Sequence, residues 1–141
     1  MVQDQATFSL MKSIVKKVIK SINRRLKVFG LTVAQMHVLS FLLKDTQRVV
    51  SQKDIETYLG VAHPTVIGIL RGMEKNDLIT FGFDSEDKRL KNVYPTEKAE
   101  ALNLRVEMTR QEINSLLFQD LTEEEQAELH RLLKKISARL L

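Results

Sequence analysis

Two long stripes of apolar residues, one near each end of the chain, limit the folds that this sequence can adopt. The amino-terminal stripe repeats every three or four residues, through Met11, Val15, Val18, Ile22 and Phe29, with a second row at Ile14, Ile19 and Leu26. This spacing predicts one long amphipathic helix. The helix should end at Gly30, because glycine readily adopts the left-handed conformation that stops a helix.

The carboxyl-terminal stripe predicts two further helices. The first begins at Thr96, and the second begins at the capping box of Thr122 and Glu125, which Leu121 precedes as a hydrophobic staple. Their apolar positions are Ala99, Leu102, Val106, Thr109, Ile113 and Leu116, followed by Leu129, Leu132, Leu133, Ile136 and Leu140.

Such long helices need a partner for their apolar faces. A helix of about two dozen residues is some 35 Å long, which is more than a compact lobe can cover. Monomers rarely leave large apolar patches exposed, so we expect residues 1–31 and 96–141 to form the dimerisation helices of a homodimer. An elongated intramolecular bundle is the alternative.

Between these ends, the sequence carries the start and stop signals of three shorter helices. The signals are the capping boxes Thr32 with Gln35 and Ser51 with Asp54, the stop at Gly60, and Pro64, which suits a first helical turn. The core side of the last helix is Val66, Ile69, Leu70 and Met73. The last two helices and their tight turn predict a helix-turn-helix.

A β-hairpin is predicted directly after the helix-turn-helix. Ile79, Phe81 and Phe83 alternate with small or polar residues, and "LKNVY" is extended again until Pro95 ends it. The charged string "DSEDKRLK" lies at the hairpin tip. The fold class is therefore mainly α with a small β-hairpin wing: residues 32–95 form a winged helix-turn-helix lobe between the long terminal helices.

Charge is distributed unevenly along the chain. There are eight bases and no acid from Lys12 to Lys44, seven of each from Thr46 to Val93, and nine acids with three bases from Glu97 to Glu128. This gradient indicates that one end of the molecule faces an anionic partner.

Motifs of enzymes and metal sites are missing from the sequence. It has no cysteine, no glycine-rich phosphate loop and no Gly-x-Ser-x-Gly or His-Glu-x-x-His motif, and His37, His63 and His130 are scattered. "EEEQAELH" could place carboxylates near His130, but an acidic first turn on a solvated helix explains it better. We expect no enzyme activity, no metal and no cofactor. No apolar run approaches the roughly 20 residues of a bilayer span, which predicts a cytoplasmic protein.

The second helix of the helix-turn-helix would meet DNA with the face opposite its core side. That face carries His63, Pro64, Thr65, Gly68 and Arg71. Thr65 can hydrogen-bond a base or a phosphate, and Arg71 can pair with guanine or phosphate. Each also has a simpler interpretation as an ordinary surface side chain. Lys53 and Lys75 are further candidates for phosphate contacts.

The wing offers a second set of DNA contacts in Asp87, Lys88, Arg89 and Lys91. An arginine entering a narrow minor groove gains from the negative potential there, but its long side chain must be aimed. Asp87, two residues earlier, is expected to hold the guanidinium of Arg89 and the backbone of the tip. An exposed ion pair adds little to stability, so the pair is better interpreted as positioning.

Nearly the whole chain resembles the MarR family of bacterial transcription regulators. The resemblance is carried by "LTVAQMHVLSFL", by "DIETYLGVAHPTVIGILRGMEKNDLI" and above all by "DSEDKRLKNVYPTEKAEAL", with its Asp-x-Arg pair at Asp87 and Arg89. The sequence departs from the family pattern at Pro95, usually Leu; Ala99, often Gly; Asp77, where Gly is common; and Gly68, frequently polar or basic.

The resemblance implies a regulator, expected to be a repressor, that binds double-stranded DNA. Two recognition helices and two wings on one dimer would meet that DNA about 10 base pairs apart, so we expect a pseudo-palindromic operator. In the family, small amphipathic or anionic effectors often bind between the dimerisation helices and the DNA-binding lobes. By resemblance, Met11, Val15, His37 and Phe41 would line that crevice, although such residues at helical spacing are more often plain core.

The rival interpretation is a winged-helix interaction module that does not bind DNA. Lys12, Lys16, Lys20 and Lys27 lie largely opposite the Met11 stripe, as in a helix that lies on an anionic membrane or docks to an acidic protein. That interpretation gives the wing no role. We therefore expect DNA as the partner and no membrane association.

Overall fold

The computed structural model describes residues 2–140, which form six α-helices and a small sheet. The helices are α1 (Val2–Leu26), α2 (Val33–Leu43), α3 (Gln52–Leu59), α4 (His63–Lys75), α5 (Glu97–Phe118) and α6 (Glu123–Ser137). The strands are β1 (Val50–Ser51), β2 (Ile79–Phe83) and β3 (Lys91–Pro95). This architecture confirms the predicted mainly α fold with a β-hairpin wing.

The helix boundaries follow the local signals in the sequence. The side chains of Thr32, Ser51 and Thr122 each accept a hydrogen bond from the backbone amide three residues later. In all three capping boxes, the side chain of that later residue accepts a hydrogen bond from the backbone amide of the capping residue. Gly30 and Gly60 adopt left-handed conformations with φ of 69° and 64°. The first helix differs in detail from the prediction, since its last turn, Lys27–Phe29, tightens into a 3₁₀ helix before Gly30.

The sheet has three antiparallel strands in the order β1-β3-β2. The predicted hairpin pairs Ile79 with Pro95 and Phe83 with Lys91, and β1, which was not predicted, pairs Val50 with Val93. Leu90 lies outside the second strand, which begins at Lys91. The short β1 ties the start of the helix-turn-helix to the base of the wing.

One core supports the lobe that carries α2, α3, α4 and the sheet. Its fully buried side chains come from every one of these elements, and they are Val38, Leu39, Leu42, Val50, Ile55, Val66, Leu70, Met73, Leu78, Ile79 and Val93. The predicted alternation of β2 fails at its end, because Phe83 is 68% exposed. The core therefore fixes the base of the wing and leaves its outer half in solvent.

The backbone contacts divide the chain into two compact units, residues up to Thr109 and residues from Arg110. In the first unit, α1 buries Leu26 fully but exposes Phe8, Leu10, Ile14, Val15 and Ile19, while α5 buries Ala99 and Val106. In the second unit, Ile113 is buried, whereas Leu116, Leu132, Leu133, Ile136 and Leu140 are exposed. The apolar stripes are therefore only partly covered within one chain.

No single helix among residues 2–140 combines the length and the apolar composition that crossing a bilayer requires. A pair of segments, Gln5–Phe29 and Val33–Leu43, meets the length and composition criteria together, but they are bent by 73° at the break between them.

Candidate nucleic-acid interface

Helix α4 presents one buried and one exposed face. Ala62 is the extended residue before its first turn, and Pro64 occupies that turn without losing a helical hydrogen bond. Val66, Leu70 and Met73 are at most 1% exposed and anchor the helix in the core. Ile69, the fourth residue of the predicted core side, is only partly buried. The other three are confirmed as core residues, and their spacing determines which residues remain outside.

The five predicted residues of the outer face are all exposed. They are His63, Pro64, Thr65, Gly68 and Arg71. The backbone amide of Thr65 donates to the carbonyl of Ala62 at 3.0 Å. All five therefore lie outside the core, as the helical spacing predicted.

The two glycines of α4 have different surroundings. A methyl group added at Gly72 would lie 2.9 Å from Nε2 of Gln35, so this glycine permits close packing of α4 against α2. A methyl group added at Gly68 would meet nothing within 4 Å. Close packing thus explains the glycine at position 72, whereas contacts within the chain do not explain the glycine at position 68.

His63 has a partner that the sequence did not indicate. Its Nδ1 contacts Oε1 of Glu56 in α3, while 59% of the His63 side chain remains exposed. The two residues are seven positions apart and are joined across the Gly60 turn. This spacing corresponds to no regular pattern within one helix, and only the geometry of the turn reveals the contact.

The end of α4 is closed by a Schellman motif with an unusual residue. Asp77 has a φ of 58°, its amide donates to the carbonyl of Glu74, and the amide of Leu78 donates to the carbonyl of Met73. The left-handed conformation explains why glycine is common at this position in the resembled family.

The first turn of α5 contacts the same end of α4. The hydroxyl of Thr96 donates to the carbonyl of Asp77 at 2.6 Å, and Nζ of Lys98 donates to the carbonyl of Asn76 at 2.8 Å. A lysine at the carboxyl end of a helix also interacts favourably with the helix dipole. The start of α5 and the end of α4 are thereby held together.

The strands of the wing position a few side chains on its surface. The ring of Tyr94 packs directly over the backbone of Gly82, since a methyl group added to Gly82 would lie 3.0 Å from the ring. Nζ of Lys91 lies 4.0 Å from the centre of the Phe81 ring. The ammonium of Lys91 is thus engaged in a cation–π contact within the wing.

The tip of the wing is organised by two aspartates. Oδ1 of Asp84 accepts hydrogen bonds from the amides of Glu86 at 2.9 Å and Asp87 at 3.1 Å. The amide of Asp84 donates to the carbonyl of Leu90 at 3.0 Å, and the amide of Leu90 donates to the carbonyl of Asp87 at 3.0 Å. These bonds close the seven-residue loop without a glycine or a proline.

Asp87 and Arg89 form the contact that the sequence predicted. Nε and Nη2 of Arg89 donate to the two carboxylate oxygens of Asp87 at 3.1 Å and 3.4 Å, and the Arg89 amide also donates to Oδ1. The Arg89 side chain is 92% exposed, so the guanidinium is held in place and still accessible. Lys88 is exposed beside it.

Both aspartates are favoured in their charged form. The hydrogen bond from the Arg89 guanidinium, followed by the one from the Arg89 backbone amide, lowers the pKa of Asp87 below its ordinary value of 3.8. The backbone amides of Asp87 and Glu86 lower the pKa of Asp84 in the same direction, with a smaller contribution from Asn92. At neutral pH the two carboxylates therefore act as fixed acceptors that organise the tip.

The predicted phosphate contacts, Lys53 and Lys75, are both exposed, one on α3 and one at the end of α4. In the part of the chain that the structure describes, no three His, Asp or Glu side chains converge as metal ligands would.

The four residues of the predicted crevice differ in their surroundings. Met11 and Val15 line an open groove of about 850 Å³, whose other lining residues Phe8, Ser9, Lys12, Ser13, Lys16 and Ile19 also belong to α1. Neither His37 nor Phe41 lines that groove. Phe41 instead stacks on Tyr58, with ring centres 4.3 Å apart, and Arg48 lies over its ring.

Comparison with known proteins bears on this geometry. Residues 29–90 match the model of the MarR family. No curated protein matched the chain. The crystal structure of a Staphylococcus aureus MepR–DNA complex is 28% identical, with 94% of this chain and 96% of that chain aligned at a TM-score of 0.85.

Two other solved structures show the same fold at lower identity. The crystal structure of MarR is 22% identical over 94% of this chain and 96% of that one, with a TM-score of 0.80. A MarR-like transcription regulator from Bacillus cereus ATCC 10987 is 18% identical over the full length of both chains, with a TM-score of 0.88. The helix-turn-helix and wing of residues 29–90 therefore match the MarR family, and MepR and MarR share the fold of nearly the whole chain.

Proposed function

We propose that the chain acts as a homodimeric, sequence-specific repressor that binds a pseudo-palindromic operator. The observation that carries the proposal is the wing tip, where Asp87 holds an arginine that is 92% exposed. A surface ion pair contributes little to stability, so stability does not explain why the wing tip holds Arg89 in one orientation. A ligand that contacts Arg89 explains it better. Duplex DNA, with its negative minor groove, is the ligand that fits.

Helix α4 supplies the second contact surface. Its outer face is exposed from His63 to Arg71 and has no acidic residue in its first turn. A helix of this kind enters the major groove while the wing follows the adjacent minor groove. The similar MepR structure was solved as a complex with DNA, which supports this mode of binding.

The uncovered apolar faces support the dimer. Leu10 of α1 is 61% exposed, and Leu140 after α6 is 73% exposed. Burying each such side chain in a second copy contributes about 1.5–3 kcal/mol of hydrophobic free energy. Two copies then present two α4 helices, and the operator has half-sites about 10 base pairs apart.

A small effector completes the proposal. The groove along α1 is mainly apolar and has Lys12 and Lys16 among its lining residues, a combination that suits an amphipathic molecule with an anionic group. Binding of such a molecule would release the operator if it favours a dimer in which the two α4 helices no longer match the DNA.

Selection of bound duplexes from a random pool tests the DNA-binding part directly. We expect a palindromic motif, and we expect affinity to fall steeply as salt rises because Lys and Arg side chains displace counterions from phosphates. The variant Arg89→Ala should bind the selected duplex more weakly. Retention of anionic liposomes with no retention of DNA would instead favour the rival interaction module, whose exposed lysines lie on α1.

A further inference from the structure

The imidazole of His63 is oriented by a carboxylate from the neighbouring helix. Nδ1 of His63 contacts Oε1 of Glu56. An ionised carboxylate can only accept a hydrogen bond, so the ring nitrogen in this contact carries the proton and donates it. The second nitrogen, Nε2, lies on the far side of the ring and is directed away from Glu56.

Both partners are anchored at their backbones. Glu56 belongs to α3, where its carbonyl accepts the amide of Gly60 at 2.9 Å, and its side chain is only 24% exposed. His63 is the first residue of α4, followed by Pro64. The side chains therefore meet between two fixed helix ends, and the imidazole is held in one orientation at the exposed start of α4.

We propose that Glu56 positions His63 to read a base, with Nε2 accepting a hydrogen bond from the amino group of a cytosine or an adenine. This inference rests on the proposed placement of α4 in the major groove. A neutral imidazole protonated at Nδ1 offers an acceptor at Nε2. The donors on the base edges of that groove are the N4 amino group of cytosine and the N6 amino group of adenine, whereas guanine and thymine present acceptors.

Glu56 is necessary to this preference because it selects the tautomer. Without a carboxylate at Nδ1, the proton can move to Nε2, and the outward atom then becomes a donor. A donor would match the N7 and O6 acceptors of guanine or a phosphate oxygen. Glu56 is thus a positioning residue that acts on the DNA contact through His63.

Selection from a random duplex pool with full-length variants tests the proposal. We compare the wild-type protein, His63→Ala, Glu56→Ala and a control, Glu74→Ala, which removes an exposed carboxylate from the last turn of α4. The wild type and the control should select cytosine or adenine at one position in each half-site, by roughly fivefold over the other two bases, the lower end of a base-specific contact. Both His63→Ala and Glu56→Ala should lose this selection at the same position.

The outcomes separate this inference from the proposed function. A wild-type protein that retains no duplex contradicts both. A palindromic motif that keeps the same base preference in His63→Ala contradicts only the reading role of His63. A preference that is lost in His63→Ala and kept in Glu56→Ala contradicts the positioning role of Glu56.

The tautomer can also be measured without DNA. The ¹⁵N chemical shifts of the two ring nitrogens distinguish the Nδ1-protonated from the Nε2-protonated imidazole. We expect the Nδ1-protonated form in the neutral ring of the wild type and of Glu74→Ala, and the Nε2-protonated form in Glu56→Ala. A wild-type ring protonated at Nε2 would overturn the proposal.

Discussion

The carboxylate of Asp87 accepts three hydrogen bonds from Arg89, two residues later in the chain. Two of them come from the guanidinium, at 3.1 Å and 3.4 Å, and the third comes from the backbone amide at 3.1 Å. One acid therefore fixes both the backbone and the side chain of the residue that we place in the minor groove. Asp87 therefore has two opposite effects on DNA binding: its negative charge repels phosphates, and its hydrogen bonds position Arg89.

Replacing Asp87 by Ala should weaken operator binding, although it removes a negative charge from the proposed DNA-binding surface. The unheld guanidinium of Arg89 must then be ordered at the moment of binding, and we expect affinity to fall roughly tenfold, within the range of a specific arginine contact. The measurement is a fluorescence anisotropy titration with the selected duplex at fixed salt.

The neighbouring acid provides the control for this prediction. Glu86 is exposed, and its backbone amide, rather than its side chain, makes the bond to Asp84. Glu86→Ala loses the same charge and should bind the duplex as tightly as the wild type or more tightly. If Asp87→Ala also bound more tightly, simple charge repulsion would explain both variants and the positioning role would be wrong.

The pH dependence of the wing follows from the lowered pKa values of Asp84 and Asp87. A carboxylate whose folded pKa lies below its ordinary value contributes stability above that ordinary value, and the contribution disappears as pH falls through the folded pKa. The tip should therefore stay ordered at neutral pH and lose its hydrogen bonds only below the ordinary value of 3.8.

Carboxyl ¹³C chemical shifts recorded against pH would measure both groups. We expect each to titrate below 3.8, and we expect Arg89→Ala to raise the pKa of Asp87 while that of Asp84 stays low. Asp84 is the internal reference because backbone amides, not Arg89, dominate its shift. Equal movement of both values would show that the variant unfolds the whole tip.

Much of the fold could be predicted because its signals are local. The three capping boxes, the stops at Gly30 and Gly60 and the start near Pro64 each depend on a few consecutive residues, and the structure confirms all of them. The Asp87–Arg89 contact belongs to the same class, since the two residues are only two positions apart.

The missed features depend on residues far apart in the sequence. Strand β1 has two residues, too few for any periodicity, and it forms because β3 offers Val93 as a partner for Val50. The contact of His63 with Glu56 likewise depends on the turn between the helices. The exposure of Phe83 could not be predicted from the alternation of apolar residues along β2, because that pattern does not show where along the strand the core ends.

The two glycines of α4 should respond differently to alanine. Gly68→Ala adds a methyl group in open space and should stabilise the protein by about 1 kcal/mol, the difference in helix propensity. In Gly72→Ala the methyl group would displace Gln35, whose side chain holds the capping box of α2, so the gain should be smaller or reversed. Urea unfolding at one protein concentration measures both.

Binding of the operator gives Gly68 its second test. If Gly68 lacks a side chain because the backbone approaches DNA closely, Gly68→Ala should be more stable yet bind more weakly. If Gly68→Ala were more stable and bound the operator as tightly as the wild type, close approach of DNA would not explain the glycine at this position.

Asp77 stores strain that substitution should relieve. Its φ of 58° lies in the left-handed region, which costs L-residues roughly 1–2 kcal/mol, less for Asp and Asn than for most. Glycine adopts this conformation freely, and the two bonds through the backbone of Asp77 need no side chain. The strain relieved, roughly 1–2 kcal/mol, exceeds the roughly 0.5–1 kcal/mol that the greater backbone entropy of glycine costs. We therefore expect Asp77→Gly to raise the free energy of unfolding slightly and Asp77→Ala to lower it, in urea denaturation.

The proposed dimer can be tested with one charge placed at two adjacent positions of α6. Ile136 is 47% exposed and belongs to the apolar stripe, whereas Ser137 is exposed beside it in the same last turn. A glutamate meets the same unfavourable helix dipole at either position, but only Ile136→Glu would bury a charge in an apolar dimer interface. Such burial costs several kcal/mol, so the dimer should weaken at least about a hundredfold. Sedimentation velocity over a concentration series should show monomers for Ile136→Glu and dimers for Ser137→Glu. Unchanged dimers of both variants would mean that the stripe of α6 does not join the two copies.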